Sequence, residues 1–131
     1  MGQLLSFRGT VFSGRGEGKH FVELPWVRAQ IERKLGFTPY LGTLNLHLFE
    51  EEDVLKRKSL LDSALGICVV PEAGYFSGTF FRATVLGVEA AVVIPQVPNY
   101  PVDVLEIIAP IYLRGKLEKG NGDRVVVTVT V

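Results

Sequence analysis

The second half of the chain is a series of short apolar runs separated by glycines. Residues 67–70, 79–86 and 88–94 are rich in β-branched and aromatic side chains, which is typical of β-strands. The last two runs flank Gly87 and predict a hairpin around it. A sheet of such short strands exposes its edges to water and to other chains, and closing the sheet into a barrel removes them.

Strands are also predicted in the first half and at the end of the chain. Apolar residues alternate weakly over residues 5–11, which predicts a first strand ended by a glycine-rich turn. Residues 20–24 are interpreted as a strand that continues beyond this turn. Residues 43–49 and 125–131 complete the set, and Thr128 and Thr130 share one face of the last strand.

One segment has the pattern of a well-formed helix. Pro25 suits the first turn, Val27, Ile31 and Leu35 recur at four-residue intervals, and Gly36 stands where a C-terminal cap is needed. The sequence therefore predicts a helix from Pro25 to the residues just before Gly36.

Two shorter helices are predicted with less regular patterns. Acidic residues precede basic ones over residues 50–58, which is the order that a helix dipole favours, and Pro110 suits the start of a helix over residues 110–117. The predicted fold class is therefore mainly β, a small closed barrel of about six strands with two or three short helical insertions. No linker or repeat divides the chain, so residues 1–131 are expected to form a single domain.

Composition narrows the class of protein. Hydrophobic residues make up 47%, charged residues 21%, and the formal net charge is zero, so the chain lacks the positive excess of a sequence-independent nucleic-acid binder. No secretory signal or uninterrupted membrane-spanning run is present, and the single cysteine, Cys68, predicts no internal disulfide and a small buried hydrophobe in its strand. We expect a soluble cytoplasmic protein with no nucleic-acid or membrane partner; its composition is compatible with a monomer.

The strand at residues 43–49 has two chemically different faces. Thr43, Asn45 and His47 share one side, and the leucines between them share the other and are expected to face the core. Neutral oxygens such as those of Thr43 and Asn45 hold Mg²⁺ when nucleotide phosphates supply the remaining ligands. The alternative is an ordinary amphipathic strand with a polar outer face, which is the commoner reason for such alternation.

The turn after the first strand is a candidate phosphate site. Gly14, Gly16 and Gly18 let the backbone approach a ligand closely and turn N–H groups towards an anion, and Lys19 adds positive charge. The alternative is a flexible hairpin, because the turn lacks the Gly-Lys-Thr/Ser ending of a P-loop.

These segments together resemble a known family, the archaeal-type CTP-dependent riboflavin kinases. The resemblance runs over nearly the whole chain. The segments that carry it are Ser13-Gly14-Arg15-Gly16-Glu17-Gly18-Lys19 followed by Phe21, Leu35-Gly36-Phe37-Thr38-Pro39-Tyr40 running into Gly42-Thr43-Leu44-Asn45-Leu46, Leu105-Glu106-Ile107-Ile108-Ala109-Pro110 followed by Leu113-Arg114, and Gly122-Asp123-Arg124-Val125. The resemblance implies a six-stranded cradle-loop barrel that makes FMN from riboflavin.

The resemblance also implies roles for individual residues. Thr43 and Asn45 match the magnesium ligands of the family, and Glu106 matches a flavin contact. Where the family usually has a threonine that contacts the flavin, this chain has Val97-Pro98-Asn99, so Asn99 is the candidate substitute. The residues that match the nucleotide-binding positions are Gly14, Arg15, Gly16, Glu17, Gly18, Lys19, Ile111, Tyr112, Leu113 and Arg114.

The predicted reaction transfers the γ-phosphate of CTP to the terminal hydroxyl of riboflavin, giving FMN and CDP with Mg²⁺ as cofactor. The preference for CTP comes from the resemblance alone. No general base is assigned, and Glu106 is the first residue to test. Two other classes are weighed against this one: a non-catalytic flavin or nucleotide binding module on the same barrel, and a DNA-binding relative. The intact Thr43/Asn45 pair opposes the first and the zero net charge opposes the second.

Some further residues are interpreted without a firm role. Arg114 is expected to pair with phosphate or with Glu106, and His47 to be a solvent-facing or hydrogen-bonded neighbour of the metal site rather than a ligand. The aromatic residues that can stack on a flavin ring are more often core, and none is singled out: Trp26, Tyr40, Tyr75, Phe76, Phe80 and Phe81.

Overall fold

The computed structural model describes residues 3–14 and 17–131. Most of this part of the chain is β-structure. Its strands are β1 (Leu4–Phe12), β2 (Leu44–Leu48), β3 (Ile67–Val69), β4 (Gly78–Val85), β5 (Val88–Pro95), β6 (Val104–Ile108) and β7 (Arg124–Thr130).

The strands close into a barrel. The order of pairing is β4-β5-β6-β2-β1-β7, and β7 pairs back onto β4, so that six antiparallel strands form a ring. Strand β3 lies outside the ring and pairs with β4. The predicted fold class is confirmed, since the ring leaves its own strands no free edge.

The barrel has an apolar interior and a second apolar layer on part of its outer surface. Phe81 and Ile107 belong to the interior cluster, which draws residues from every strand of the ring. Their chain neighbours Phe80 and Ile108 belong to the outer cluster, because successive side chains of a strand point to opposite faces. The parts of β4 to β6 that carry residues of both clusters are therefore buried on both faces.

Short helices cover the outer layer and the ends of the barrel. They are α1 (Glu17–Glu23), α2 (Pro25–Lys34), α3 (Glu51–Arg57) and α4 (Leu113–Leu117), with 3-10 turns at Lys58–Leu61 and Ser63–Leu65. The predicted helix from Pro25 is confirmed, and Gly36 follows it with φ of +83°, a conformation that glycine adopts without strain. None of the helices in the described ranges is long and apolar enough to cross a membrane.

The hairpin predicted around Gly87 is also confirmed. Val85 pairs with Val88, and the two residues between them, Leu86 and Gly87, have φ of 49° and 82°. Two consecutive left-handed residues form the tight turn whose twist matches that of the flanking strands.

The prediction of a strand over residues 20–24 is wrong, because these residues lie in and just after helix α1. Val22 is buried in the outer cluster together with residues of α2. The Phe21 ring lies so close to β4 that a Cβ added to Gly78 would be 2.9 Å from it. A short apolar run does not distinguish helix from strand by its pattern, and here the packing of Phe21 and Val22 decided the outcome.

Cys68 is exposed, which corrects the prediction of a buried hydrophobe. It lies on the short strand β3 at the rim of the sheet, where the neighbouring Val69 faces inwards and Cys68 outwards. Two further differences concern element bounds. The helix expected from Pro110 begins at Leu113, after Tyr112 with extended backbone, and β6 is a strand that the sequence pattern did not single out.

Helix α3 is fixed to β1 by a buried carboxylate. Asp53 accepts hydrogen bonds from the backbone N–H and Nε of Arg8, at 3.0 and 3.3 Å, and Lys56 Nζ lies 3.0 Å from its other oxygen. Burial alone would raise the pKa of Asp53, but the hydrogen bonds from Arg8 and Lys56 outweigh it, so the pKa lies below its ordinary value. Lys56 also donates to the Ser6 carbonyl at 2.6 Å.

Candidate active site

The polar residues of β2 and β6 meet at one end of the barrel. Asn45 pairs with Phe12 on one side, where β1 ends, and with Glu106 on the other. Asn45 and Glu106 are both buried, and few other polar side chains of the described residues are buried. Cross-strand neighbours of this kind lie about 5 Å apart, so an amide and a carboxylate share one small region of the surface.

Gly14 approaches Asn45 so closely that a side chain at position 14 would displace the Asn45 amide. A Cβ added to Gly14 would lie 2.6 Å from Asn45 Nδ2 and 3.1 Å from its Cγ. Glycine therefore allows the backbone after β1 to lie close to β2 while the Asn45 amide keeps its position. It brings the start of the predicted phosphate turn into direct contact with a predicted metal ligand.

The two predicted metal ligands lie side by side. Thr43, just before β2, donates a hydrogen bond from Oγ1 to Asn45 Oδ1 at 3.1 Å. Adjacent ligands of an octahedral magnesium ion at 2.1 Å are separated by about 3.0 Å, so the spacing of the two oxygens fits one ion once the Thr43 hydroxyl hydrogen turns away. Across the described ranges no three His, Cys, Asp or Glu side chains gather into a metal site. A metal at Thr43 and Asn45 would therefore draw its remaining ligands from water and from a bound phosphate.

A first cleft, of about 330 Å³, opens on the Thr43 side of this pair. It is bounded by the end of β1, the segment before β2 and the segment from Ala109 to helix α4. Its walls contain two glycines, two tyrosines and two basic side chains, a composition suited to a phosphate-bearing ligand. The lining residues are Ser13, Gly14, Lys19, Tyr40, Leu41, Gly42, Thr43, Leu44, Asn45, Ile107, Ala109, Ile111, Tyr112, Leu113 and Arg114.

Two cations face the first cleft in different ways. Lys19 is half exposed, and its Nζ lies 3.8 Å from Glu23 on the next turn of α1, a weak pair that leaves the ammonium available to an anion. Arg114 Nη2 donates to the Phe12 carbonyl at 3.1 Å, which fixes helix α4 to the end of β1. The sequence predicted that Arg114 pairs with phosphate or with Glu106, whereas its hydrogen bond in the structure is to a backbone carbonyl. A guanidinium has five donors, so the others can still contact an anion.

Tyr40 and Tyr112 form a pair at the mouth of the first cleft. Their ring centroids are 5.1 Å apart with the planes at 32°, and about half of each side chain is exposed. The Tyr40 N–H donates to the Ala109 carbonyl at 2.8 Å, which fixes this side of the cleft to the end of β6. From the sequence, Tyr40 is one of several aromatic residues that can stack on a flavin ring or lie in the core. Nothing in the local pattern indicates that it contacts Tyr112.

A second cleft, of about 580 Å³, lies on the Glu106 side of the pair. Gly14 and Asn45 line both clefts, so the two cavities meet at these residues. The second cleft is more apolar, and the proline-rich loop of residues 96–103 forms one wall. Its lining residues are Phe12, Gly14, Asn45, Val97, Pro98, Asn99, Tyr100, Pro101, Val104 and Glu106.

Glu106 has a partner that the sequence did not reveal. A carboxylate within the apolar run of β6 was expected to need one, and the Tyr100 hydroxyl donates a hydrogen bond to Glu106 Oε1. The two residues are separated by a loop of irregular structure, so no periodic pattern relates them. Asn99 also lines the cleft, and its φ of 63° is a left-handed conformation that asparagine tolerates better than most residues.

The remaining predicted residues divide into three groups. Ile111, Tyr112 and Leu113 line the first cleft. Arg15 and Gly16 lie outside the described residues, and Glu17 and Gly18 are described only as the backbone at the start of α1. His47 lines neither cleft and lies 2.9 Å from Asp103, through Nε2, on the exposed face of β2.

The fold and the two clefts define a class: a small closed β-barrel with a polar cleft and a more apolar cleft that meet beside one pair of side-chain oxygens. The model of the CTP-dependent riboflavin kinase family, described as domain of unknown function DUF120, matches residues 11–129. The chain therefore belongs to the CTP-dependent riboflavin kinase family.

Curated relatives extend the comparison. The chain is 40% identical over 129 residues to a riboflavin kinase of Archaeoglobus fulgidus, a match that covers 95% of this chain and 54% of that protein. A riboflavin kinase of Methanosarcina barkeri is 41% identical over 126 residues, covering 95% and 56%. One from Pyrobaculum islandicum is 43% identical over 135 residues, covering 96% and 62%. The chain thus spans somewhat more than half the length of these relatives.

Proposed function

We propose that this chain transfers the γ-phosphate of CTP to the terminal hydroxyl of riboflavin, forming FMN and CDP. The observation that carries the proposal is the junction of the two clefts at Gly14 and Asn45. A phosphate at the inner end of the first cleft and a hydroxyl at the inner end of the second would meet beside the Thr43–Asn45 pair. The names of the family and of the curated relatives supply the two substrates.

The first cleft is assigned to the nucleotide. Lys19 and Arg114 supply positive charge, Gly14 lets the backbone approach a ligand without a side chain in the way, and the tyrosine pair offers aromatic surface for the base. The second cleft is assigned to the flavin, since it is larger and more apolar and carries Glu106, Tyr100 and Asn99 as polar contacts. Polar groups placed sparsely in an apolar cleft fix the orientation of a ligand.

Thr43 and Asn45 are assigned to Mg²⁺, because their oxygens lie 3.1 Å apart and face the junction. When bound there, Mg²⁺ neutralises charge on the nucleotide phosphates. Gly14 supports this assignment, since its backbone lies close against the Asn45 amide and a side chain at position 14 would displace that amide.

The chemistry asked of the protein is mainly positioning. A bond forms between the terminal oxygen of riboflavin and the γ-phosphorus, the bond from that phosphorus to the oxygen it shares with the β-phosphate breaks, and the hydroxyl proton is released. The transition state is loose, so alignment and charge neutralisation contribute more than a strong base. Lys19 and Arg114 stabilise charge on the phosphates, and Glu106 orients the ribityl chain and is the first group to test as a proton acceptor.

The purified chain would be incubated with riboflavin and Mg²⁺, with CTP in one reaction and ATP in another, and FMN would be separated from riboflavin by chromatography. We expect FMN with CTP and little with ATP. Formation of FMN with ATP alone would support a riboflavin kinase but refute CTP as its phosphate donor. No FMN from folded protein that still binds riboflavin would instead support a non-catalytic binding module.

Asn45→Ala and Thr43→Ala test the metal assignment. Each variant is expected to keep the fold and lose most of the activity, because neither side chain packs in the apolar core. Turnover equal to that of the unmodified chain in either variant, at limiting Mg²⁺, would remove the assignment of these residues to the metal.

A further inference from the structure

Arg57 is a buried cation that neither the family resemblance nor the site description has used. It is the last residue of α3 and only 2% exposed. Its Nε donates to the Val104 carbonyl at the start of β6, at 2.6 Å. Within the described residues its Nη2 is buried without a hydrogen-bond partner. Burying a guanidinium is costly, so a specific role for the charge is expected.

Arg57 lies close to groups that line the second cleft, which is assigned to the flavin and is therefore called the flavin cleft. Burial lowers the pKa of Arg57, and Tyr100, Asp103 and Glu106 oppose the lowering. The Arg57 Cζ lies 5.7 Å from the centre of the Tyr100 ring, within the range of a cation–π contact. Two of these three groups, Tyr100 and Glu106, line the second cleft and are hydrogen-bonded to each other.

The loop that carries Tyr100 borders two cavities. One is the second cleft, and the other, of about 330 Å³, is lined in part by Arg57. Residues 97–100 line both cavities. Residues 97–99 are exposed, so we expect the contacts of Tyr100 with Arg57 and Glu106 to provide a large share of what fixes this segment.

We propose that Arg57 is a positioning residue for the flavin cleft. Arg57 contacts the Tyr100 ring and donates a hydrogen bond to the Val104 carbonyl at the start of β6. These two contacts keep the Tyr100 hydroxyl in hydrogen-bonding position to Glu106. Arg57 acts through Tyr100 and does not touch the substrate. The inference rests on the assignment of the second cleft to riboflavin.

Arg57→Met keeps most of the side-chain volume and removes the charge and the donors. We expect it to raise the KM for riboflavin, and the Kd of riboflavin without nucleotide, about tenfold, which lies between the effects expected for an exposed and for a fully desolvated cation–π contact. The KM for CTP is expected to stay within twofold of the unmodified chain. Arg57→Lys keeps a cation and should recover part of the loss. Equal increases in both KM values would refute a role specific to the flavin cleft.

Lys56→Met is the matched control. Lys56 is the preceding residue of the same helix, and its Nζ contacts Asp53 and the Ser6 carbonyl at β1, away from the proline-rich loop. It is expected to lower the melting temperature without changing the ratio of the two KM values. If Lys56→Met raises the KM for riboflavin as much as Arg57→Met, the effect is a general loosening of α3 and the proposal fails.

A double-mutant cycle tests whether Arg57 acts through Tyr100. In a Tyr100→Leu background, Arg57→Met should add less than a twofold change in the Kd of riboflavin, because the ring it holds is already gone. Additive losses would refute the proposed route.

The Kd, followed by quenching of flavin fluorescence, separates this inference from the proposed reaction. A chain that binds riboflavin but forms no FMN would refute the kinase and leave the Arg57 prediction to be judged on binding. Arg57→Met with unchanged Kd would refute the positioning role even if FMN is formed. If Arg57→Met does not fold, Arg57→Lys decides, with an expected weakening of about threefold.

Discussion

Gly14→Ala is the sharpest test of how the backbone positions the proposed metal ligands. The added methyl group would lie 2.6 Å from Asn45 Nδ2, so that atom has to move by about 0.8 Å to reach an ordinary contact of 3.4 Å. The atom in the way is the end of a flexible side chain, so the Asn45 amide can turn aside with little cost to the fold. Gly14 is not among the described glycines with positive φ, so alanine adds no backbone strain.

The expected effect is therefore on activity and not on stability. A displacement of roughly 1 Å at a reacting centre typically costs about 100-fold in rate, which corresponds to about 2.7 kcal/mol of transition-state stabilisation. We expect Gly14→Ala to lower kcat by about that factor and to shift the Mg²⁺ dependence to higher concentration, because one ligand is misplaced. The melting temperature should change by about 2 °C or less.

The assay is the rate of FMN formation from riboflavin and CTP over a Mg²⁺ titration, with thermal unfolding measured on the same samples. Gly120→Ala is the matched control, since a Cβ there meets no atom within 4 Å. It should leave both readouts unchanged. A Gly14→Ala variant with kcat within twofold of the unmodified chain and the same Mg²⁺ dependence would refute the argument that this close approach positions Asn45.

Three other perturbations test the cleft and the framework. Glu106→Gln keeps the shape of a side chain that is almost fully buried but removes its charge. It should raise the KM for riboflavin about tenfold and change the KM for CTP little. Steady-state kinetics with each substrate varied measure both values, and an equal rise in the two KM values would contradict this prediction. Leu46→Ala removes a side chain that is 0% exposed in the barrel interior and should cost about 2–5 kcal/mol in urea unfolding, and a loss below 1 kcal/mol would contradict that packing. Asp53→Asn should cost about 1–3 kcal/mol at pH 7. Because the pKa of Asp53 is lower in the folded state than its ordinary value of 3.8, the carboxylate stabilises fully above that pH and progressively less as the pH falls through the folded pKa, so the difference between the two proteins should shrink in acid. A difference that is constant from pH 7 to pH 2 would refute this.

Local sequence patterns predicted most of the helices and strands correctly where apolar spacing and turn residues gave the same answer. The Pro25 helix followed from apolar spacing and two punctuating residues, and the β4–β5 hairpin from β-branched runs around Gly87. The face of β2 that carries Thr43 and Asn45 followed from strict alternation with leucines that enter the barrel interior. These signals are local, so tertiary contacts had little to alter.

The wrong predictions share a different cause. The segment at residues 20–24 has an apolar pattern compatible with strand or helix, and the packing of Phe21 on Gly78 selected helix. The exposure of Cys68 depends on β3 being at the rim of the sheet, which is a property of strand order and not of the residue.

The sequence by itself determined most of the strands and helices, because these depend on residues close together in the chain. Its motifs also indicated the family and the polar residues that line the junction of the clefts. The tertiary structure alone decided that Gly14 contacts Asn45, that Tyr100 forms a hydrogen bond with Glu106, and that Arg57 contacts the Tyr100 ring. These contacts join residues 31, 6 and 43 positions apart along the chain. The first contact exists because β1 and β2 pair in the sheet, and the other two because α3 and the loop before β6 pack beside one another; no periodic pattern in the chain encodes which residues then meet.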